Sequence, residues 1–268
     1  MSLLAPSISA ETQKRWKDRA LDRAKQRKKG VPGVAAMNGI VTVNVGPTPV
    51  AFQVHTDLLT HHSEYFRKSL NGPWKEASER VVPLVDIEPR TFSLFVNWLY
   101  TKEVPYTIHE WEDMNTFGPY PTQGSRLREF ISAYALGDRL LAPAFCHATN
   151  NGFDKIFRDY LGCPGKGRRL ISVAFSNLPS ACILLQNLVD GYCEKWEKGD
   201  VDYSLKAQNE FPQDFLRRAM HRLHELSEMT DEEKKQRRCY LEHDSDPGKQ
   251  LCRRVHMRWD AGEELWLL

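Results

Sequence analysis

Two short β-branched runs set the first limit on the fold. Ile40-Val41-Thr42-Val43-Asn44-Val45 ends at Gly46-Pro47, and Val50-Ala51-Phe52-Gln53-Val54 follows after a tight connection. Runs of this length and composition, split by turn residues, predict a two-stranded hairpin. The pattern then changes period. Leu58, Leu59, His62, Tyr65, Phe66 and Leu70 share one face at helical spacing, with Thr56 or Asp57 placed to cap the start and Asn71-Gly72-Pro73 to stop it. Arg80-Val81-Val82-Pro83-Leu84-Val85 reads as a strand whose proline argues for an edge or a strand end. A second helix is expected over residues 89–100, with Pro89 in its first turn and Phe92, Phe95, Val96, Leu99 and Tyr100 as its buried stripe.

Residues 105–125 differ in kind. Pro105, Gly118, Pro119, Pro121 and Gly124 punctuate them, which predicts a long loop with one turn of helix near 110–114. Helical pattern resumes at Leu127 with Phe130, Ile131, Tyr134 and Ala135, and again beyond Pro143 with Phe153, Ile156, Phe157, Tyr160 and Leu161. Gly162-Cys163-Pro164-Gly165-Lys166-Gly167 is the clearest break in the chain. At least two helices are expected after it. One carries Leu185, Leu188, Val189, Tyr192, Cys193 and Trp196; the other carries Leu216, Ala219, Met220 and Leu223.

The ends of the chain are charged. Residues 11–30 hold nine basic and three acidic residues, and their apolar stripe (Trp16, Ala20, Leu21, Ala24) is too thin to fold alone. A solvated helix is the simpler expectation for this arm; a nuclear-import signal or an arm touching nucleic acid is the sharper one. Over all 268 residues the formal charge is only +2, so bulk electrostatics do not call for nucleic acid. No apolar run is long enough for a membrane helix and no secretory signal is apparent, so no membrane association is expected. Cysteines at 146, 163, 182, 193, 239 and 252 form no CxxC pair, and no glycosylation sequon occurs. Reduced thiols in cytoplasm or nucleus follow.

No catalytic residue and no cofactor-binding residue is nominated. A phosphate loop needs G-x4-G-K-[ST], because backbone N–H groups cradle the phosphate. Gly165-Lys166 is followed by Gly167, and Tyr160 stands where the first glycine should be. No G-x-G-x-x-G opens a helix after a strand, and neither HExxH nor G-x-S-x-G occurs. His55, between strand and helix, is expected to be structural. Cys239-x3-His243 followed by Cys252-x3-His256 has the ligand types for tetrahedral zinc, but the order is not that of a standard finger, in which two cysteines precede two histidines. An incidental set in a charged tail is preferred, and no metal ligand is assigned.

Val41-Thr42-Val43-Asn44-Val45-Gly46, then Phe52-Gln53-Val54-His55, Leu58-Leu59 and Ser63-Glu64-Tyr65-Phe66 resemble the opening of a BTB/POZ domain. Asn71-Gly72-Pro73-Trp74-Lys75-Glu76-Ala77, Phe92-Ser93-Leu94-Phe95-Val96-Asn97-Trp98-Leu99-Tyr100 and Tyr134-Ala135-Leu136-Gly137-Asp138-Arg139-Leu140 continue the resemblance in the same order, in wording closest to fungal members. Phe211-Pro212-Gln213-Asp214-Phe215-Leu216 is similar to a segment that recurs after the domain in those proteins. The resemblance implies an α+β fold: a BTB/POZ-like small sheet with a flanking helical cluster, followed by an all-α C-terminal extension. The expected limits are a basic arm over 1–37, the BTB/POZ-like domain over 38–161, the extension over 168–230 and a charged tail over 231–268.

It also implies function by protein contact, as a homodimer that recruits other proteins, and not as an enzyme. Some relatives are substrate adaptors for cullin-type ubiquitin ligases and carry a hydrophobic-x-acidic triplet before the later helices. Leu127-Arg128-Glu129 fits that triplet, with Leu127 and Glu129 as its contact residues, and so does Ile108-His109-Glu110. Two departures stand out. Asn38-Gly39 replaces the acidic residue often found before the first strand, and the 105–125 stretch is longer than usual. The alternative reading is a nuclear, transcription-linked regulator whose basic arm contacts nucleic acid.

Overall fold

The computed structural model describes residues 31–37, 39–114, 118, 122–160, 167–194, 211–235, 238–242 and 255–256. The chain divides into two compact units, residues 1–88 and 89–268. The basic arm over 11–30 and the glycine-rich break over 162–166 lie outside the described residues.

The first unit is built on the expected hairpin. A short helix, α1 (Pro32–Ala35), precedes β1 (Ile40–Val45), which pairs antiparallel with β2 (Val50–His55) from Ile40↔His55 to Val45↔Val50. Gly46, at φ +91°, opens the connecting turn, a conformation that costs other residues strain. β3 (Val81–Leu84) joins β1 in parallel, giving the order β2-β1-β3. The arrangement follows from side-chain alternation. Val41, Val43 and Val45 are buried on one face of β1, and Val82 and Leu84 match them on β3. Pro83 is tolerated because β3 is an edge and its residues facing β1 are Arg80 and Leu84, whose carbonyls accept from Thr42 and Gly46.

Between β2 and β3 the single expected helix is two. They are α2 (Thr56–His62) and α3 (Glu64–Asn71), followed by the short α4 (Lys75–Glu79). Ser63 makes the break. Its backbone is extended, and its hydroxyl accepts from the Phe66 amide at 3.2 Å, capping α3. Neither Thr56 nor Asp57 occupies the cap position of α2; His55 does, without a side-chain capping bond. The apolar face still packs as expected, with Leu58, Leu59, Phe66 and Leu70 buried.

The second unit is helical. It comprises α5 (Pro89–Thr101), α6 (Ile108–Asp113), α7 (Gln123–Arg139), α8 (Pro143–Tyr160), α9 (Gly167–Asn177), α10 (Ile183–Glu194), α11 (Gln213–Glu228) and the short α12 (Asp231–Lys235). Strands β4 (Arg238–Cys239) and β5 (Val255–His256) pair in parallel. No described helix is long and apolar enough to cross a membrane. Phe95 sits at the centre of an aromatic cluster, 5.8 Å from Phe92, 6.1 Å from Trp98 and 5.0 Å from Phe145, ring centre to ring centre.

Helices α7 and α8 pack closely because glycines line their contact. A Cβ on Gly152 would stand 2.8 Å from the Phe130 ring and from Val104, and one on Gly137 would meet the Cys146 sulfur at 2.7 Å. Gly152→Ala is therefore expected to overpack the contact and cost about 1–3 kcal/mol, read from urea unfolding.

Two differences from the sequence-based expectations matter here. Helix α9 was not anticipated, although Leu170, Ile171, Ala174 and Leu178 are buried at helical spacing. Helix α11 is rotated from the face its apolar residues suggest. Ala219 is buried as expected, but Phe215, Arg218 and Arg222 join it, whereas Leu216, Met220 and Leu223 are exposed. Phe215 packs on Phe211, Tyr192 and Phe175, and Arg222 meets the buried Asp190 of α10.

Asp190 is the hub of an ionic core. Its carboxylate lies 3.5 Å from the Arg222 Nε and 3.0 Å from the Arg238 Nη1, and it accepts from the Gln186 amide at 2.6 Å and from the Tyr240 hydroxyl. Burial first, and then the neighbouring Asp190 charge, raises the Tyr240 phenol above its usual range, so the hydroxyl keeps its proton for Asp190. Residues 238–242, expected within a charged tail, are thereby held in the core. Asn150 donates to the Tyr240 carbonyl at 2.7 Å, and the Asn151 amide pairs with both backbone groups of Glu242, at 3.0 and 2.9 Å.

Candidate protein-interaction surface

The chain presents two exposed apolar side chains, Tyr106 and Ile108, just beyond α5, and local bonding fixes them there. After Thr101 the backbone turns at Lys102, which adopts a left-handed φ of 62°. The Lys102 ammonium curls back to donate to the Leu99 carbonyl at 2.8 Å and lies 4.8 Å from the centre of the Trp98 ring. A cation over the C-terminal carbonyls of a helix complements its dipole. Partial burial pulls the amine down to about 8.

Helix α6 follows and begins with a capping box. The Thr107 hydroxyl accepts from the Glu110 amide, and the Glu110 carboxylate accepts from the Tyr106 and Thr107 amides at 2.8 and 3.0 Å. Those backbone donors hold the Glu110 carboxyl below its ordinary range. Trp111 anchors the helix from below, buried and 5.3 Å from the Phe130 ring. With both ends fixed, Ile108 is left 58% exposed and Tyr106 48% exposed. The Lys155 ammonium lies 4.9 Å from the Tyr106 ring centre. Tyr106, Lys102, Asn97, Glu110, Asn151 and Lys155 line an open recess of about 660 Å³ beside this ridge.

The two hydrophobic-x-acidic triplets therefore differ in what they can reach. Ile108-His109-Glu110 lies on the surface. Leu127-Arg128-Glu129 lies in α7, where Leu127 is fully buried and Glu129 accepts from the Thr91 hydroxyl at 2.6 Å. The Leu127 side chain has no surface to offer a partner in this conformation. The stretch over 105–125 is also less loop-like than its glycines and prolines suggest, because Thr107 and Thr122 each nucleate a helix within it. Both caps were legible as Thr-x-x-Glu and Thr-x-x-Ser.

The remaining candidates offer little chemistry. Cys146, Cys182, Cys193 and Cys239 are reduced and buried, and burial pushes the Cys146 and Cys193 thiols up to about 12, well away from thiolate at neutral pH. Among the described residues no three His, Cys, Asp or Glu side chains are grouped to hold a metal. Cys239 and His256 are register partners across β4 and β5, while His243 and Cys252 lie outside the described residues.

The hairpin, the parallel third strand and the helices that follow give a mixed three-stranded sheet with helical flanks, and the comparison with known families agrees. Residues 41–117 match the BTB/POZ domain family. No curated protein matches the chain. The BTB/POZ match covers the sheet, α2 to α6 and the Ile108–Glu110 ridge, under a third of the 268 residues. Helices α7 to α12 follow it. BTB/POZ domains are protein–protein interaction modules, so contact with protein is the coarse function of this part of the chain.

Proposed function

We propose that the chain works as a homodimeric adaptor, with its BTB/POZ part self-associating and the ridge at Ile108 docking on a cullin-type scaffold. The observation that carries this reading is Ile108 itself. It is an apolar side chain 58% exposed, on a helix whose cap and buried Trp111 prevent it from folding inward. Holding an anchor rigid lowers the entropy lost on binding. Tyr106 beside it, held under the Lys155 ammonium, supplies an aromatic surface of the kind enriched at the centres of interfaces.

Within this proposal the module extends over 38–161 and the helical extension over 168–230, the latter contributing partner recruitment. The tail from 231 contributes residues 238–242 to the core of the second unit. Leu127 and Glu129 support the ridge by holding α7 and are not themselves the contact.

Binding of the purified chain to the N-terminal region of a cullin scaffold tests the adaptor role. The chain is expected to bind, and Ile108→Glu is expected to weaken binding at least tenfold, ~1.4 kcal/mol, at unchanged melting temperature. Absence of binding by the unmodified chain, or full binding by Ile108→Glu, would sink the proposal.

A further inference from the structure

Helix α11 carries two opposed apolar faces, and only one of them is used inside the second unit. The inward face holds Phe215, whose ring lies 4.9 Å from Phe211, 5.3 Å from Tyr192 and 5.6 Å from Phe175. The outward face carries Leu216, Met220 and Leu223, exposed by 40%, 72% and 36%. These three follow one another at four- and three-residue steps, so they form one continuous stripe. A recess of about 690 Å³ runs along it, lined by Asp214, Leu216, Arg217, Met220, His221 and His224. The polar flank mixes donors and carboxylates. Arg217 already meets Asp214 at 2.6 Å, and His224 lies 3.6 Å from Glu228.

We propose that this outward face of α11 is the docking site for residues 257–268 of the same chain, which lie outside the described residues. Reach supports it. β5 sets His256 beside Cys239, and the adjacent Arg238 bonds to Glu225 of α11 at 2.9 Å, so the segment leaves the fold next to this helix. Twelve residues span up to about 40 Å when extended, whereas the 16-residue α11 is only about 24 Å long.

Chemistry supports it as well. Met257-Arg258-Trp259-Asp260-Ala261-Gly262-Glu263-Glu264-Leu265-Trp266-Leu267-Leu268 combines three acids with Trp259, Leu265, Trp266, Leu267 and Leu268. Its apolar side chains match the Leu216–Met220–Leu223 stripe in number and kind. Docking would remove an apolar stripe from water without requiring a partner protein.

The test places a photo-crosslinking amino acid, p-benzoylphenylalanine, at Met220 in the full chain. Met220 is a surface residue, so the probe leaves the packing intact. The expected product is a crosslink within one chain, joining the Met220 peptide to a peptide from 257–268. Trp266→Ser with Leu267→Ser is expected to lower its yield about fivefold. Two results would overturn the proposal: crosslinking into a second copy, seen as a dimer band, or a yield to 257–268 no higher than from the same probe at the exposed Lys75.

Discussion

Asp190→Asn is expected to destabilise the second unit by about 3–5 kcal/mol, the cost typical of removing one partner from a buried ion pair. The substitution keeps the side-chain volume and removes only the charge. What remains is two guanidinium groups that have lost the carboxylate they share. Arg222 has a side chain 4% exposed and Arg238 one 20% exposed, and both face the Asp190 carboxylate. Arg222 retains Glu225 at 3.0 Å and Glu194 at 3.4 Å, and Arg238 retains Glu225 at 2.9 Å, so the loss is partial and not total. Asparagine keeps one acceptor oxygen where aspartate has two, so either the Tyr240 hydroxyl or the Gln186 amide loses its acceptor. With whole-domain stabilities of roughly 5–15 kcal/mol, a change of this size is a large fraction of the total. Urea unfolding followed by circular dichroism reads it as a lower midpoint. A variant within about 0.5 kcal/mol of the parent would mean that Asp190 does not organise this core.

Phe95→Ala is expected to cost a similar amount, about 3–5 kcal/mol, for an entirely different reason. Phe95 is fully buried, and its ring contacts Phe92, Trp98 and Phe145. Truncation removes the transfer free energy of the ring and leaves a cavity between α5 and α8 that rigid aromatic neighbours cannot fill. Phe95→Leu should recover much of the loss, because it restores most of the volume. The same unfolding experiment distinguishes the two sites. At high salt the Asp190→Asn penalty is expected to shrink modestly, since part of the network is solvent-accessible, whereas the Phe95→Ala penalty is not.

Much of this architecture was legible in the residues. The alternation in Ile40-Val41-Thr42-Val43-Asn44-Val45 and the turn at Gly46-Pro47 predicted the hairpin, and Pro83 placed its strand at an edge, as observed. The stop at Asn71-Gly72 and the start at Pro89 also match the helix ends. The misses share a cause. Periodicity finds apolar faces but not the short polar signals that divide them. Ser63 splits one apparent helix into two, and Thr122 starts α7 ahead of Leu127, where the helical pattern resumes. The buried face of α11 was read only in part, Ala219 correctly, because Arg222 is drawn inward by Asp190, thirty-two residues upstream, and no local pattern carries that information.

The site was less legible than the fold for a similar reason. Both triplets satisfy the same three-residue pattern, and only tertiary packing separates them. Trp111 buries one side of α6 and so commits Ile108 to the surface. The equivalent leucine at 127 is the buried member of its own helix.

The most direct test of the account is the molar mass of the intact chain by light scattering at micromolar concentration. A homodimeric interaction module predicts twice the mass of one chain, persisting on tenfold dilution. A mass of one chain throughout, with no protein retained in pull-downs, would contradict it.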